Sequence, residues 1–146
     1  MYKIITILYT YYTRGEIMNK VILIKCNDYN LTLVTDSIKS SLENLGGLDK
    51  YVKPGESVLL KVNLLTIKKP EQAATTHPVF VEALVNIFLD HGCKVTIADS
   101  PGGPFVSSMV KRVYKATGMK DLASRYDITL NDNYNSSTIF TNDSKL

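Results

Sequence analysis

The sequence predicts an α/β fold, a mostly parallel sheet laid down in βαβ units with helices on both faces. Three observations carry this. Short aliphatic runs alternate with segments whose apolar residues recur every three or four positions. Glycine and proline punctuate the junctions. The chain of 146 residues is the size of about one domain, and right-handed crossovers are the usual way to join parallel strands within it.

Taken in order, KVILIKC (Lys20 to Cys26) is aliphatic without clean alternation, the pattern of a strand buried on both faces. Asn30 then offers a helix cap, and Leu31, Val34, Ile38, Leu42 and Leu45 form one helical stripe that Gly46-Gly47 stops. A Pro54-Gly55 turn leads into a second strand, Ser57 to Asn63. Alternation puts Leu59, Lys61 and Asn63 on one of its faces and Val58, Leu60 and Val62 on the other. Thr76 or His77 can cap the next helix, with Pro78 in the first turn, where a missing N–H costs nothing. That helix is apolar on more than one stripe from Val79 to Leu89 and ends at His91-Gly92. Lys94 to Ala98 is the third strand, and Phe105 to Thr117 the third helix, with Gly118 as its stop. Asp121 to Tyr126 reads as a helical turn and Asp127 to Leu130 as a short strand. Asn131 to Leu146 loses period and reads as a hairpin piece or a frayed tail.

Composition excludes several functions. With 45% hydrophobic and 21% charged residues the chain is that of an ordinary globular protein. A net charge of +3 is too small for a nucleic-acid footprint, and aromatic residues do not interleave the basic pairs Lys68-Lys69 and Lys111-Arg112, which read as solvated. Cys26 and Cys93 read as two reduced core thiols, and neither they nor His77 and His91 show zinc-ligand spacing.

The opening MYKIITILYTYY lacks the basic start and small-residue cleavage site of a secretory signal and is too short to span a membrane, so a cytoplasmic location is expected. The Ile, Lys, Asn and Tyr usage implies AT-rich codons, in which Arg14-Gly15-Glu16 can be written with a ribosome-binding AGGAG just before the codon for Met18. Residues 1–17 are therefore expected to be a translated leader or disordered extension, and 18–146 the folded portion. An added edge strand from Lys3 to Tyr9 is the alternative.

Candidate chemistry concentrates where the second and third strands end, since open α/β sheets bind ligands outside the carboxyl ends of their strands. Neighbouring strands lie about 4.8 Å apart, which would bring Lys61 and Asp99 together. Gly102 and Gly103 can turn backbone N–H groups toward an anion, and Lys61 adds a full charge. The expected ligand-binding set is Lys61, Asn63, Thr76, His77, Asp99, Ser100, Gly102 and Gly103. Asp99 repels an anion unless Mg²⁺ or a pairing with Lys61 intervenes. The corner matches neither the dinucleotide fingerprint nor the P-loop, and no nucleophile constellation is present, so a tight strand-to-helix turn stays open as the plainer reading.

PGESVLLKVNLL, PEQAATTHPVFVEALVNIFLDHGCKVTIADSPGGP and KATGMKDLASRYDITL occur in the order that resembles the start of domain-of-unknown-function family 362. The resemblance covers about Val21 to Leu130. It implies an α/β core without assigned activity, often joined to four-iron four-sulfur modules. Val62 stands where the family usually has proline. Family members run well past this length, so the resemblance implies an incomplete domain, the N-terminal portion of a larger one. It places any iron–sulfur cluster on a part not present here, as in an electron-transfer protein. An open sheet edge makes self-association a further expectation.

Overall fold

The computed structural model describes residues 3–13 and 16–135. Among the described residues, five strands and four α-helices follow in chain order. Strands β1 (Lys3–Thr13) and β2 (Glu16–Cys26) are followed by helix α1 (Leu31–Asn44) and strand β3 (Ser57–Lys61). Helix α2 (Pro78–Asp90) and strand β4 (Lys94–Ala98) come next, then helices α3 (Ser107–Ala116) and α4 (Met119–Tyr126) and strand β5 (Thr129–Leu130). The second half is the expected α/β arrangement, a parallel sheet in the order β3-β4-β5 with helices in the crossovers.

Local chemistry sets the boundaries. Asn30 caps α1, its side-chain oxygen accepting the Leu33 N–H at 3.2 Å. Of the two candidates for α2 it is His77 that caps, with Pro78 in the first turn. Gly118, at φ 80°, ends the path of α3 and opens α4, which runs two residues further toward the N-terminus than the sequence suggested. The segment 131–135 has no regular structure, and the remainder of the expected hairpin or tail lies outside the described residues.

The main core lies between the sheet and three helices. Val95 and Ile97 of β4 meet Val81 and Val85 of α2. Val110, Val113 and Tyr114 of α3 join the same cluster, with Met119 and Leu122 of α4. Fully burying an aliphatic side chain of this kind stabilises by roughly 1.5–3 kcal/mol, so this cluster dominates the fold's free energy. A second cluster joins the opposite stripe of α2, Ala83 and Ile87, to Val34 and Ile38 of α1 and to Cys26. Two apolar stripes on α2 are what its sequence called for. Both cysteines are buried and unpaired with each other.

Two expectations are corrected. Lys20–Cys26 was expected in the parallel sheet with both faces buried, yet β2 pairs antiparallel with β1, in a ribbon separate from the sheet. Its described side chains alternate, Ile22 and Ile24 half-buried while Val21 and Leu23 are exposed, Leu23 by 67%. Its partner is the eleven-residue β1, which takes up the hydrogen bonds along one edge of β2. The second correction concerns cover. The expectation of helices on both faces is met on one face only among the described residues. Strands in sequential order with crossovers of one hand place α2 and α3 on the same side. Leu59, on the other side, is 61% exposed.

A candidate anion site at the carboxyl ends of the central strands

The parallel register sets Lys61 opposite Ala98, so the next residue, Asp99, leaves the sheet beside the lysine. The ladder continues one step past β3, with the Val62 N–H donating to the Ala98 carbonyl at 3.1 Å. Lys61 Nζ donates to Asp99 Oδ1 at 3.3 Å and to Asn63 Oδ1 at 2.9 Å. An ammonium has three donors, so one remains for a ligand.

The two charges have very different surroundings. The Asp99 side chain is 3% exposed and that of Lys61 65%. A buried carboxylate is tolerated only when its oxygens are satisfied, and both are. Oδ1 accepts from Lys61, and Oδ2 accepts the backbone N–H of Leu64 at 2.9 Å. The Asp99 N–H in turn donates to the Tyr114 hydroxyl at 3.1 Å, tying the end of β4 to α3. Burial pushes the Tyr114 phenol above its ordinary value, and the nearby Asp99 charge acts in the same direction. Asp99 is paired with Lys61, as one of the two expected arrangements requires.

The loop from β3 to α2 is fastened to this cluster. The Asn63 carbonyl accepts the Thr76 N–H at 3.1 Å and lies 3.4 Å from the Thr76 hydroxyl. His77 Nδ1 accepts the Val79 N–H at 3.3 Å, which leaves the proton of a neutral imidazole on Nε2. In that tautomer Nε2 carries the N–H and is a donor rather than a base. Tyr29 stacks on the His77 ring, centroids 3.6 Å apart and planes 2° from parallel. Thr75 Oγ1 is buried without a hydrogen-bond partner among the described residues.

The glycine corner is more closed than its sequence suggests. Gly102 donates its N–H to the Leu65 carbonyl at 2.8 Å, and a Cβ built on Gly102 would lie 3.2 Å from that oxygen. Its N–H therefore holds two loops together and does not face a ligand. Gly103 has φ 98°, a conformation that favours glycine, and Ser100 is exposed beside a buried Pro101. Helix α3 starts at Ser107, two residues later than expected, so the corner and the helix start are separate.

Lys61, Asn63 and Asp99 are thus in direct contact. Thr76 joins them through the Asn63 backbone, with His77 one residue on. Sequence reasoning missed Tyr114, the Leu64 N–H and Tyr29. Helical period does place Tyr114 on the buried stripe of α3, and a buried phenol needs a hydrogen-bond partner. Nothing local in the sequence pairs Tyr29 with His77.

The fold and these strand-end residues define an α/β domain with a charged cluster at the mouth of a parallel sheet. Residues 58–145 match a family described as a domain of unknown function (DUF362), and the chain belongs to that family. It is also similar to a thylakoid-associated protein, sll1697, of Synechocystis sp. (strain ATCC 27184 / PCC 6803 / Kazusa), being 37% identical over 84 residues. That stretch covers 58% of this chain and 26% of the relative, so the chain spans about a quarter of that protein's length. No solved structure matches. No helix among the described residues is long and apolar enough to cross a membrane.

Proposed function

We propose that the carboxyl ends of β3 and β4 form a crevice for a small anionic ligand of phosphate type. The observation that supports this most directly is the Lys61 ammonium, exposed and held by Asn63 and the buried Asp99 with one donor to spare. Fixing that side chain in advance lowers the entropic cost of binding, and Asp99 serves as its anchor. Thr76, the protonated nitrogen of His77, Ser100 and the Gly103 backbone complete the lining. Gly102 braces the corner from behind. The unpartnered Thr75 hydroxyl next to Thr76 adds a group for which a ligand would be an acceptor or donor.

Thermal unfolding in the presence of inorganic phosphate and of phosphorylated metabolites tests the reading. A ligand present at about 100 times its dissociation constant stabilises by about 2.7 kcal/mol, which moves the midpoint by several degrees in a chain of this size. Lys61→Ala should remove the shift produced by inorganic phosphate. The same panel with Mg²⁺ tests whether Asp99 also takes a cation, since each of its oxygens accepts one donor and keeps a lone pair. An unchanged midpoint across the panel overturns the proposal. We place this activity in the cytoplasm, and recovery of the native chain in the membrane pellet at high salt would overturn that placement.

One observation favours a second reading, a non-catalytic module of a longer iron–sulfur electron-transfer protein: the matched stretch is only 26% of its relative. Cys26 and Cys93 are buried and sit in different parts of the fold, so cluster ligands would come from elsewhere. On this reading the chain stays colourless after anaerobic reconstitution with iron and sulfide, while a full-length homologue turns brown. A homologue that stays colourless overturns it.

A further inference from the structure

We infer that the flank of α3 carries a second ligand site, separate from the strand-end crevice, for a small molecule that joins a di- or triphosphate to a flat apolar group, of which a nucleoside diphosphate is the type. A cavity of about 330 Å³ lies between α3 and the segment that continues β5. That is the lower end of the range for small-molecule sites, room for one compact ligand. Its rim holds Lys111, Arg112, Lys115 and Lys120. None of the four forms an ion pair among the described residues, although Asp132 lines the same cavity.

Four unpaired cations around one hollow raise the local concentration of anions and cost free energy through mutual repulsion, which a polyanion relieves. Lys111 and Lys115 lie four residues apart on α3, neighbours about 5–6 Å from each other, a spacing that suits successive phosphates better than a single one. The walls are apolar and aromatic. Leu130, Tyr134 and the buried Tyr114 line the hollow, and Tyr134 is held edge-on by Phe105 at 5.8 Å between ring centroids. Asn131 adds an amide, able both to donate and to accept, as the edge of a heterocycle requires. Its own backbone N–H is fastened to the Ile97 carbonyl at 2.9 Å, so that side of the cavity is anchored to the sheet. Tyr114 also receives the Asp99 N–H, so the two sites share a wall without sharing a cation.

Isothermal titration of the intact chain with ADP tests the site, with inorganic pyrophosphate and adenosine as the two halves of the probe. ADP should bind at least tenfold more tightly than either half, and its affinity should fall as salt rises from 50 to 200 mM. The double variant Lys111→Ala, Lys115→Ala changes two exposed side chains and should lower ADP affinity at least tenfold with an unchanged unfolding midpoint. Lys61→Ala should leave ADP affinity as it is. Absence of ADP binding overturns the inference, as does binding insensitive to the double variant. Binding lost in Lys61→Ala assigns ADP to the strand-end crevice instead, which overturns this site while supporting the other. Phosphate stabilisation abolished by Lys61→Ala, with no binding of ADP, leaves the crevice standing alone.

Discussion

The end of β3 and β4 and the flank of α3 are both basic at the surface, and they are built in opposite ways. At the strand ends the lysine is paired with a buried carboxylate, and that carboxylate also holds the backbone of the following loop. Around the flank of α3 four cations, three on that helix and Lys120 on α4, stand without ion pairs among the described residues. Paired and buried charge is structural even where it also binds, since its removal leaves a desolvated partner behind. Unpaired exposed charge contributes little to stability and is free to recognise something else. Substitutions should therefore separate the two regions by what they change.

Asp99→Ala should have the largest effect. It strands the buried Leu64 N–H and releases Lys61, and losing hydrogen bonds to a buried charged group costs about 2–4 kcal/mol. Urea denaturation measures this. Asp99→Asn keeps an acceptor for Leu64 and should cost less. Equal losses in the two variants would mean that the charge, and not the hydrogen bond to the loop, holds this end of the sheet.

Tyr114→Phe comes next. It removes the acceptor for the Asp99 N–H at nearly constant volume, and one buried unsatisfied donor costs about 1–3 kcal/mol. The same phenol gives a pH signature. Its folded pKa is raised, chiefly by burial. A raised value makes its contribution fully present below the unfolded pKa of about 10 and lost as pH rises through the folded one. The wild type should lose stability relative to Tyr114→Phe as pH rises above about 10. A constant difference between the two across that range would show that the phenol titrates alike in both states.

How much of this was legible depended on whether the cause was local. The register of β3 with β4, and with it the meeting of Lys61 and Asp99, followed from two short aliphatic runs in a parallel sheet. The caps at Asn30 and His77 followed from side chains that bond their own helix. The fate of β2 was not legible, because KVILIKC is apolar enough for a central strand and nothing in its letters says that another strand will occupy its edge. The closed corner was missed for a similar reason. The Leu65 carbonyl reaches the Gly102 N–H from 37 positions earlier, helped by a positive φ of 60° at Leu65 that no turn signal announces. Gly102-Gly103 looks the same in sequence whether its amides face a ligand or another loop.

The smallest effects should be the most telling about the comparison. Lys61→Ala should cost about 0.5–1.5 kcal/mol, because the ammonium is mostly in water, where screened ion pairs are weak, while the buried Asp99 loses one of its two donors. A double-mutant cycle with Asp99→Asn isolates that pair, and coupling near the upper end of the range would show that the buried partner makes this bridge stronger than an ordinary surface one. Single Lys111→Ala and Lys115→Ala variants should stay within about 0.5 kcal/mol of wild type, and slightly above it, since each removes repulsion from a cluster without ion pairs among the described residues. If either loses more than 1 kcal/mol, the cations of α3 support the fold as Asp99 does, and the division of labour between the two regions fails.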